Sequence, residues 1–101
     1  MHKIVYLPLA EEDILEAVDY ISDKLDAPEA AADLLEKLDE TVETIARFPY
    51  AYELYRTVRP MRDEIRKVAV KGFVLYYAVF EEQVEIRRFL HGRRERSGLF
   101  D

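Results

Sequence analysis

Residues 2–7, His-Lys-Ile-Val-Tyr-Leu, are β-prone, and Pro8 cannot continue a hydrogen-bonded ladder, so the chain opens on a short predicted strand. The period then changes. Over residues 10–25, Ile14, Ala17, Val18, Ile21 and Leu25 recur at helical spacing and fall within one apolar stripe about 100° wide. Glu11, Glu12 and Asp13 crowd the first turn of this predicted helix, where its dipole favours negative charge. The run Asp26-Ala-Pro-Glu29 predicts a second helix start, with Asp26 as the cap, Pro28 in the first turn and Glu29 completing a capping box. Ala31, Leu34, Leu35, Leu38, Val42, Ile45 and Ala46 give the second stripe, which stops at Phe48-Pro49. Two helices joined by so short a connection pack antiparallel, as a helical hairpin.

No period holds from residue 49 to 63, a stretch long enough to suggest a functional loop. Its Tyr50, Tyr52 and Tyr55, among Arg56, Arg59 and Arg62, look like a stacking platform for bases, but such mixtures are ordinary in loops packed on helices, and packing is the favoured expectation. Three β-like segments follow, at 64–70, 73–80 and 84–91. Lys71-Gly72 suits a two-residue hairpin turn, and Glu81-Glu82-Gln83 makes the next one. The predicted fold is therefore a single α+β domain over residues 1–101: an N-terminal strand, an antiparallel helical hairpin and a three-stranded antiparallel meander. The segment Phe73-Val-Leu-Tyr-Tyr-Ala-Val-Phe80 is apolar at every position, so both of its faces avoid water. The hairpin covers one face. The other, holding either Phe73, Leu75, Tyr77 and Val79 or Val74, Tyr76, Ala78 and Phe80, needs a cover from the long loop, the C-terminal tail or a partner.

Composition narrows the class. Half of the residues are apolar and 36% are charged, a globular balance. The absence of cysteine excludes disulfides and thiolate metal sites, and two histidines, His2 and His91, make a histidine-rich site improbable, so no cofactor or metal is expected. The apolar run near the start is too short for a membrane span and lacks a basic leader, which makes the cytoplasm the expected compartment. The net charge of −6 hides a split: residues 1–52 hold 4 basic against 13 acidic side chains, and residues 53–101 hold 11 against 8. Such asymmetry is either two ordinary solvated faces or an interaction surface.

Taken in order, these elements and certain residues resemble the RelE/ParE superfamily of toxins from type II toxin–antitoxin systems. The similarity runs from Val5 through Arg94 and includes Ala10-Glu-Glu-Asp13-Ile14, Tyr20-Ile21, Phe48-Pro49, Arg66, the Phe-Val-Leu-Tyr-Tyr strand and Val84-x-Ile86-x-x-x-Leu90-His91-Gly92-Arg93-Arg94. The resemblance implies a toxin neutralised by a small cognate antitoxin, whose C-terminal segment wraps the hairpin and the sheet. Leu75, Tyr76, Tyr77, Phe80 and Phe89 would meet that antitoxin, and the pair could form a hetero-oligomer. The resemblance also implies one of two targets, DNA gyrase for ParE-like members or ribosome-bound mRNA for RelE-like ones.

Metal-free cleavage of RNA needs proton transfer at the 2′-oxygen and the leaving oxygen, with cations against the phosphate. His91 has a suitable intrinsic pKa, and Arg66, Arg88 and Arg94 are the candidate cations. Two departures weigh against this chemistry. Gly72-Phe73-Val74 stands where mRNA-cutting members typically begin the strand with arginine, and no tyrosine follows Tyr77. The tail matches ParE-like members better, and Arg87, His91, Arg93 and Arg94 become candidate contacts to gyrase. The unspecialised expectation for His91 is a strand-end histidine with a satisfied hydrogen bond, and for Arg93, Arg94 and Arg96 a solvated tail.

Overall fold

The computed structural model of the chain describes residues 1–56 and 62–92. Its elements run β1 (Lys3–Tyr6), α1 (Pro8–Asp19), a π-helical turn (Tyr20–Lys24), α2 (Pro28–Arg47), β2 (Arg66–Val70), β3 (Phe73–Val79) and β4 (Gln83–His91). The fold is the expected α+β arrangement, with the helical hairpin laid on one face of a sheet ordered β1-β4-β3-β2. β2, β3 and β4 form the antiparallel meander, and β1 adds to the far side of β4 in parallel, Tyr6 opposite Ile86, so the sheet is mixed.

Several local features depart from the sequence pattern for identifiable reasons. Pro8 does not merely end the strand; it opens α1, where its fixed φ and missing N–H carry no penalty. α1 then widens into the π turn, with the Leu25 N–H donating to the Tyr20 carbonyl and the Ala27 N–H to that of Ile21. The expected capping box is not formed. Asp26 lies in the left-handed region at φ 49°, and Ala27, which makes no side-chain cap bond, precedes Pro28 at the start of α2. The turn between the helices thus uses Asp26 for its backbone conformation and not for its carboxylate. Lys71 and Gly72 both have positive φ, 45° and 85°, as the two-residue β2–β3 hairpin requires.

A bulge reorders β4. Tyr76 opposes Arg88 while Tyr77 opposes Ile86, leaving Arg87 as an extra residue without a partner across β3. Straight alternation would place Ile86 and Leu90 on one face. With the bulge, Val84, Ile86 and Phe89 face the helices, packing with Leu75, Tyr77, Ala17, Leu34, Leu38 and Ile45, while Leu90 turns to the opposite face. Each fully buried side chain of the size of Leu34 or Ile45 contributes about 1.5–3 kcal/mol.

The opposite face of the sheet is not bare. Val74, Tyr76, Ala78 and Leu90 are buried there together with Tyr55 and Ile65 from the two ends of the long connection, and Tyr55 meets the Tyr76 ring edge-on at 5.2 Å. Part of that connection behaves as a rudimentary strand. Leu54 bridges to Arg66, the Tyr55 N–H donates to the Ile65 carbonyl, and the Lys67 N–H donates to that of Glu53. Of the covers expected for this face, the molecule's own loop is the one seen: Tyr55 and Ile65 pack on it. Arg59 and Pro60 lie outside the described residues. Among the described residues, no helix is long and apolar enough to cross a membrane.

Tyr77 ties the loop to the core. Its buried hydroxyl donates to the Pro49 carbonyl at 2.9 Å, and burial pushes the phenol up from 10.0 to about 12, against the opposing pull of the Arg66 charge. Because the folded state holds this proton more tightly than the unfolded chain, the associated stability is complete below pH 10 and is lost as pH rises towards about 12. Tyr77→Phe is expected to cost about 1 kcal/mol in urea unfolding at pH 7. The variant's stability should also fall less than the wild type's between pH 10 and 12, a comparison that urea titrations across that range would measure.

Candidate functional site

β1 ends at Tyr6, and the Leu7 N–H makes the last backbone bond of that edge, to the Ile86 carbonyl, before the chain turns into α1. Beyond that point β4 has no neighbouring strand on this side. The gap is filled by a side chain. Asp13, one turn into α1 and 7% exposed, accepts the Phe89 N–H on Oδ2 at 2.9 Å. The same carboxylate accepts both arms of Arg88, Nε to Oδ2 at 2.8 Å and Nη2 to Oδ1 at 3.1 Å. The bidentate geometry is the strong form of this pair. Hydrogen bonding to Asp13 raises the Arg88 pKa above its ordinary value, and the charges of Asp13, Glu16 and Glu12 act the same way against the opposing effect of burial.

Asp13 is the residue the sequence reading missed. The sequence groups it with Glu11 and Glu12 as first-turn acid, yet Ala10, Asp13, Ile14 and Ala17 are spaced i, i+3, i+4, i+7, the signature of the buried stripe. A carboxylate on such a stripe must find a cation or donors, and Arg88 and the Phe89 N–H supply both.

Of the residues proposed from the sequence, the structure gathers few into one place. Arg88 is engaged by Asp13. Arg87, at the bulge, is held at 3.1 Å by Asp63 and at 2.9 Å by Glu85. Arg66 donates to the Tyr52 carbonyl at 2.7 Å and lies 5.1 Å over the Tyr50 ring, so it organises the loop. His91 ends β4, exposed, with its ring edge-on to Phe73 at 5.5 Å. Arg93, Arg94 and Arg96 lie outside the described residues. Leu75, Tyr77 and Phe89 are buried under the hairpin, Tyr76 is buried on the opposite face, and Phe80 is half-buried beside it. The chain's own packing accounts for the apolar character of these five.

Beside the Asp13–Arg88 pair, the α1 C-terminus and the π turn stand away from the end of the β3–β4 hairpin and leave a groove of about 730 Å³. Ala17, Phe73, Phe89 and Leu90 form its apolar floor, with Tyr20 alongside. Asp13, Glu16, Asp19 and Asp23 line it against Lys24 and His91. Among the described residues, no three acidic or histidine side chains converge closely enough to hold a metal ion.

A mixed sheet with a terminal parallel strand and a single helical hairpin on one face defines the α+β toxin fold of the RelE/ParE superfamily. The profile described as the ParE toxin of the type II toxin–antitoxin system parDE matches residues 4–96, and the chain belongs to that family. Among solved structures, it is similar to a chain of the chromosomal ParDE system from P. aeruginosa, at 18% identity, covering 90% of this chain and 96% of that one with a TM-score of 0.68. It is also similar to a chain of the E. coli DinJ-YafQ complex, at 14% identity with full coverage of both and a TM-score of 0.64. The YoeB dimer from Staphylococcus aureus resembles it at 17% identity, covering 89% of this chain and 95% of that one with a TM-score of 0.57. At these identities the similarity concerns the fold. No curated protein matches the chain in sequence.

Replacing Asp13 by Ala strands a guanidinium and a backbone N–H together, and is expected to destabilise the protein by about 3 kcal/mol in urea unfolding. Asp13→Ala combined with Arg88→Met should recover part of that loss, since no unpaired charge then remains. A loss below about 1 kcal/mol in the single variant would class the pair with ordinary surface ion pairs.

Proposed function

We propose that this ParE-family chain is a non-nucleolytic toxin that poisons DNA gyrase and is neutralised by a cognate antitoxin. The observation that carries the reading is the setting of His91. His91, the histidine proposed for RNA cleavage, opens onto a groove lined by Asp13, Glu16, Asp19 and Asp23, with Lys24 as the one lysine or arginine there among the described residues. A phosphodiester approaching that wall meets negative charge, whereas cleavage of RNA requires cations at the phosphate. Among the described residues, the candidate cations are also committed elsewhere: Arg88 to Asp13, Arg87 to Asp63 and Glu85, and Arg66 to the loop, while Arg94 lies outside the described residues. The family match favours the same branch. The similar ParDE and DinJ-YafQ structures are a toxin–antitoxin system and a toxin–antitoxin complex, which supports an antitoxin partner here. The reading implies action in the cytoplasm, where gyrase works.

Purified toxin is expected to inhibit supercoiling by gyrase at micromolar concentration, and His91→Ala should retain both that inhibition and growth arrest on forced expression. Unchanged supercoiling, together with message cleavage in translation extracts that His91→Ala abolishes, would overturn the proposal in favour of an mRNA interferase. Normal growth on forced expression of the wild type would leave only an antitoxin-binding relative.

A further inference from the structure

The bulge in β4 is framed by three facing pairs: Tyr77 with Ile86, Tyr76 with Arg88 and Leu75 with Phe89. Tyr76 alone thus faces the two-residue stretch Arg87-Arg88, and either arginine satisfies the count. Pairing Tyr76 with Arg87 instead makes Arg88 the extra residue, yet keeps Ile86 opposite Tyr77 and Phe89 opposite Leu75. Apolar positions fix register where a one-residue shift would turn them to water. Here they do not discriminate, because Ile86 and Phe89 stay under the hairpin in both arrangements. The ladder with β1 does not decide either, since it ends at Ile86. What distinguishes the two arginines is their carboxylates. Arg87 is held at 2.9 Å by Glu85 and at 3.1 Å by Asp63, at the end of the long connection. Arg88 is held by Asp13 of α1 through two bonds. All of these side chains are mostly shielded from water, which strengthens the contacts relative to exposed pairs.

We infer that the bulge is a two-position switch, in which Arg87 and Arg88 exchange as the extra residue while Asp63, Glu85 and Asp13 together select the observed position. The exchange leaves both buried clusters in place, so its cost lies in the ion pairs and in the backbone of these two residues. Two discrete arrangements of one packed strand are the kind of element through which distant surfaces influence each other. The switch joins α1 to the long connection, because Asp13 and Asp63 act on neighbouring residues of β4. A ligand that competes for either carboxylate shifts the same equilibrium.

The test is amide relaxation dispersion on the nitrogen-labelled full chain, which reads exchange on the microsecond-to-millisecond timescale. Asp63→Asn and, separately, Glu85→Gln each weaken the hold on Arg87. Each is expected to raise the population of the second position about tenfold over the wild type's, the effect of losing one charge-assisted hydrogen bond. The exchange should centre on the Tyr76, Arg87 and Arg88 amides. Glu43→Gln, which breaks the exposed pair with Arg47, is the charge-matched control and should leave those amides as in the wild type. A chain lacking Arg87 has no extra residue to exchange, and should fold with flat profiles at Tyr76 and Arg88. Flat profiles at all three amides in both Asp63→Asn and Glu85→Gln overturn the inference. Exchange that extends equally to the Tyr55 and Ile65 amides also overturns it, by assigning the motion to the connection lifting off the sheet. Exchange that persists at Tyr76 in the chain lacking Arg87 overturns it as well.

Discussion

The carboxylate of Asp13 holds the two layers of this molecule together where main-chain hydrogen bonding runs out. β1 is four residues long, and past Tyr6 the edge of β4 has no strand beside it. Asp13 reaches from α1 to the Phe89 N–H and brings Arg88 with it, so one side chain stands in for the missing backbone and neutralises a cation. A part-buried, bidentate pair of this kind adds little net stability compared with an apolar substitute, but removal of Asp13, its buried partner, is severe. Its value is therefore in specification. It fixes where α1 sits on the sheet, and it does so directly beside the bulge that re-aims Arg87, Arg88 and Phe89.

That constraint decides which surfaces remain for partners. With Phe89 turned under the hairpin and Leu90 turned away, both faces of the sheet acquire buried clusters, one beneath the helices and one beneath Tyr55 and Ile65. A sheet clothed on both sides has no large apolar face to offer. Among the described residues, a groove stays open between the end of α1 and the β3–β4 hairpin, beside the π turn, and its lining carries Asp13, Glu16, Asp19 and Asp23. Part of the charge split visible along the chain thus becomes spatial: four carboxylates line one side of the groove, and the arginines of β4 are engaged internally by Asp13, Asp63 and Glu85. The proposed absence of RNA chemistry follows from this same distribution.

Much of the fold was legible in the sequence because it rests on periodicity. The two stripes, the all-apolar third strand and Lys71-Gly72 each map onto the element they predict. The features that escaped are those in which one residue breaks a period. The bulge at Arg87 is invisible to an alternation rule, and with it the separation of Ile86 from Leu90. Asp26 carried the composition of a capping box but serves the turn through its backbone, since sequence spacing does not report φ. Parallel pairing of β1 with β4 depends on contacts across some eighty residues, beyond any local pattern. Of the candidate site, His91 is identified by its chemistry, whereas nothing in the sequence links it to Asp13, Glu16, Asp19 and Asp23. Their meeting is a matter of tertiary placement alone.

The most direct measure of the central constraint is native-state hydrogen exchange at the Phe89 amide. If the Asp13 carboxylate is the partner that this edge of β4 requires, the Phe89 N–H exchanges only through global unfolding, with protection equal to that of the β3–β4 core, although no strand lies beside it. Exchange at the rate of a frayed, solvent-exposed strand edge would contradict the account.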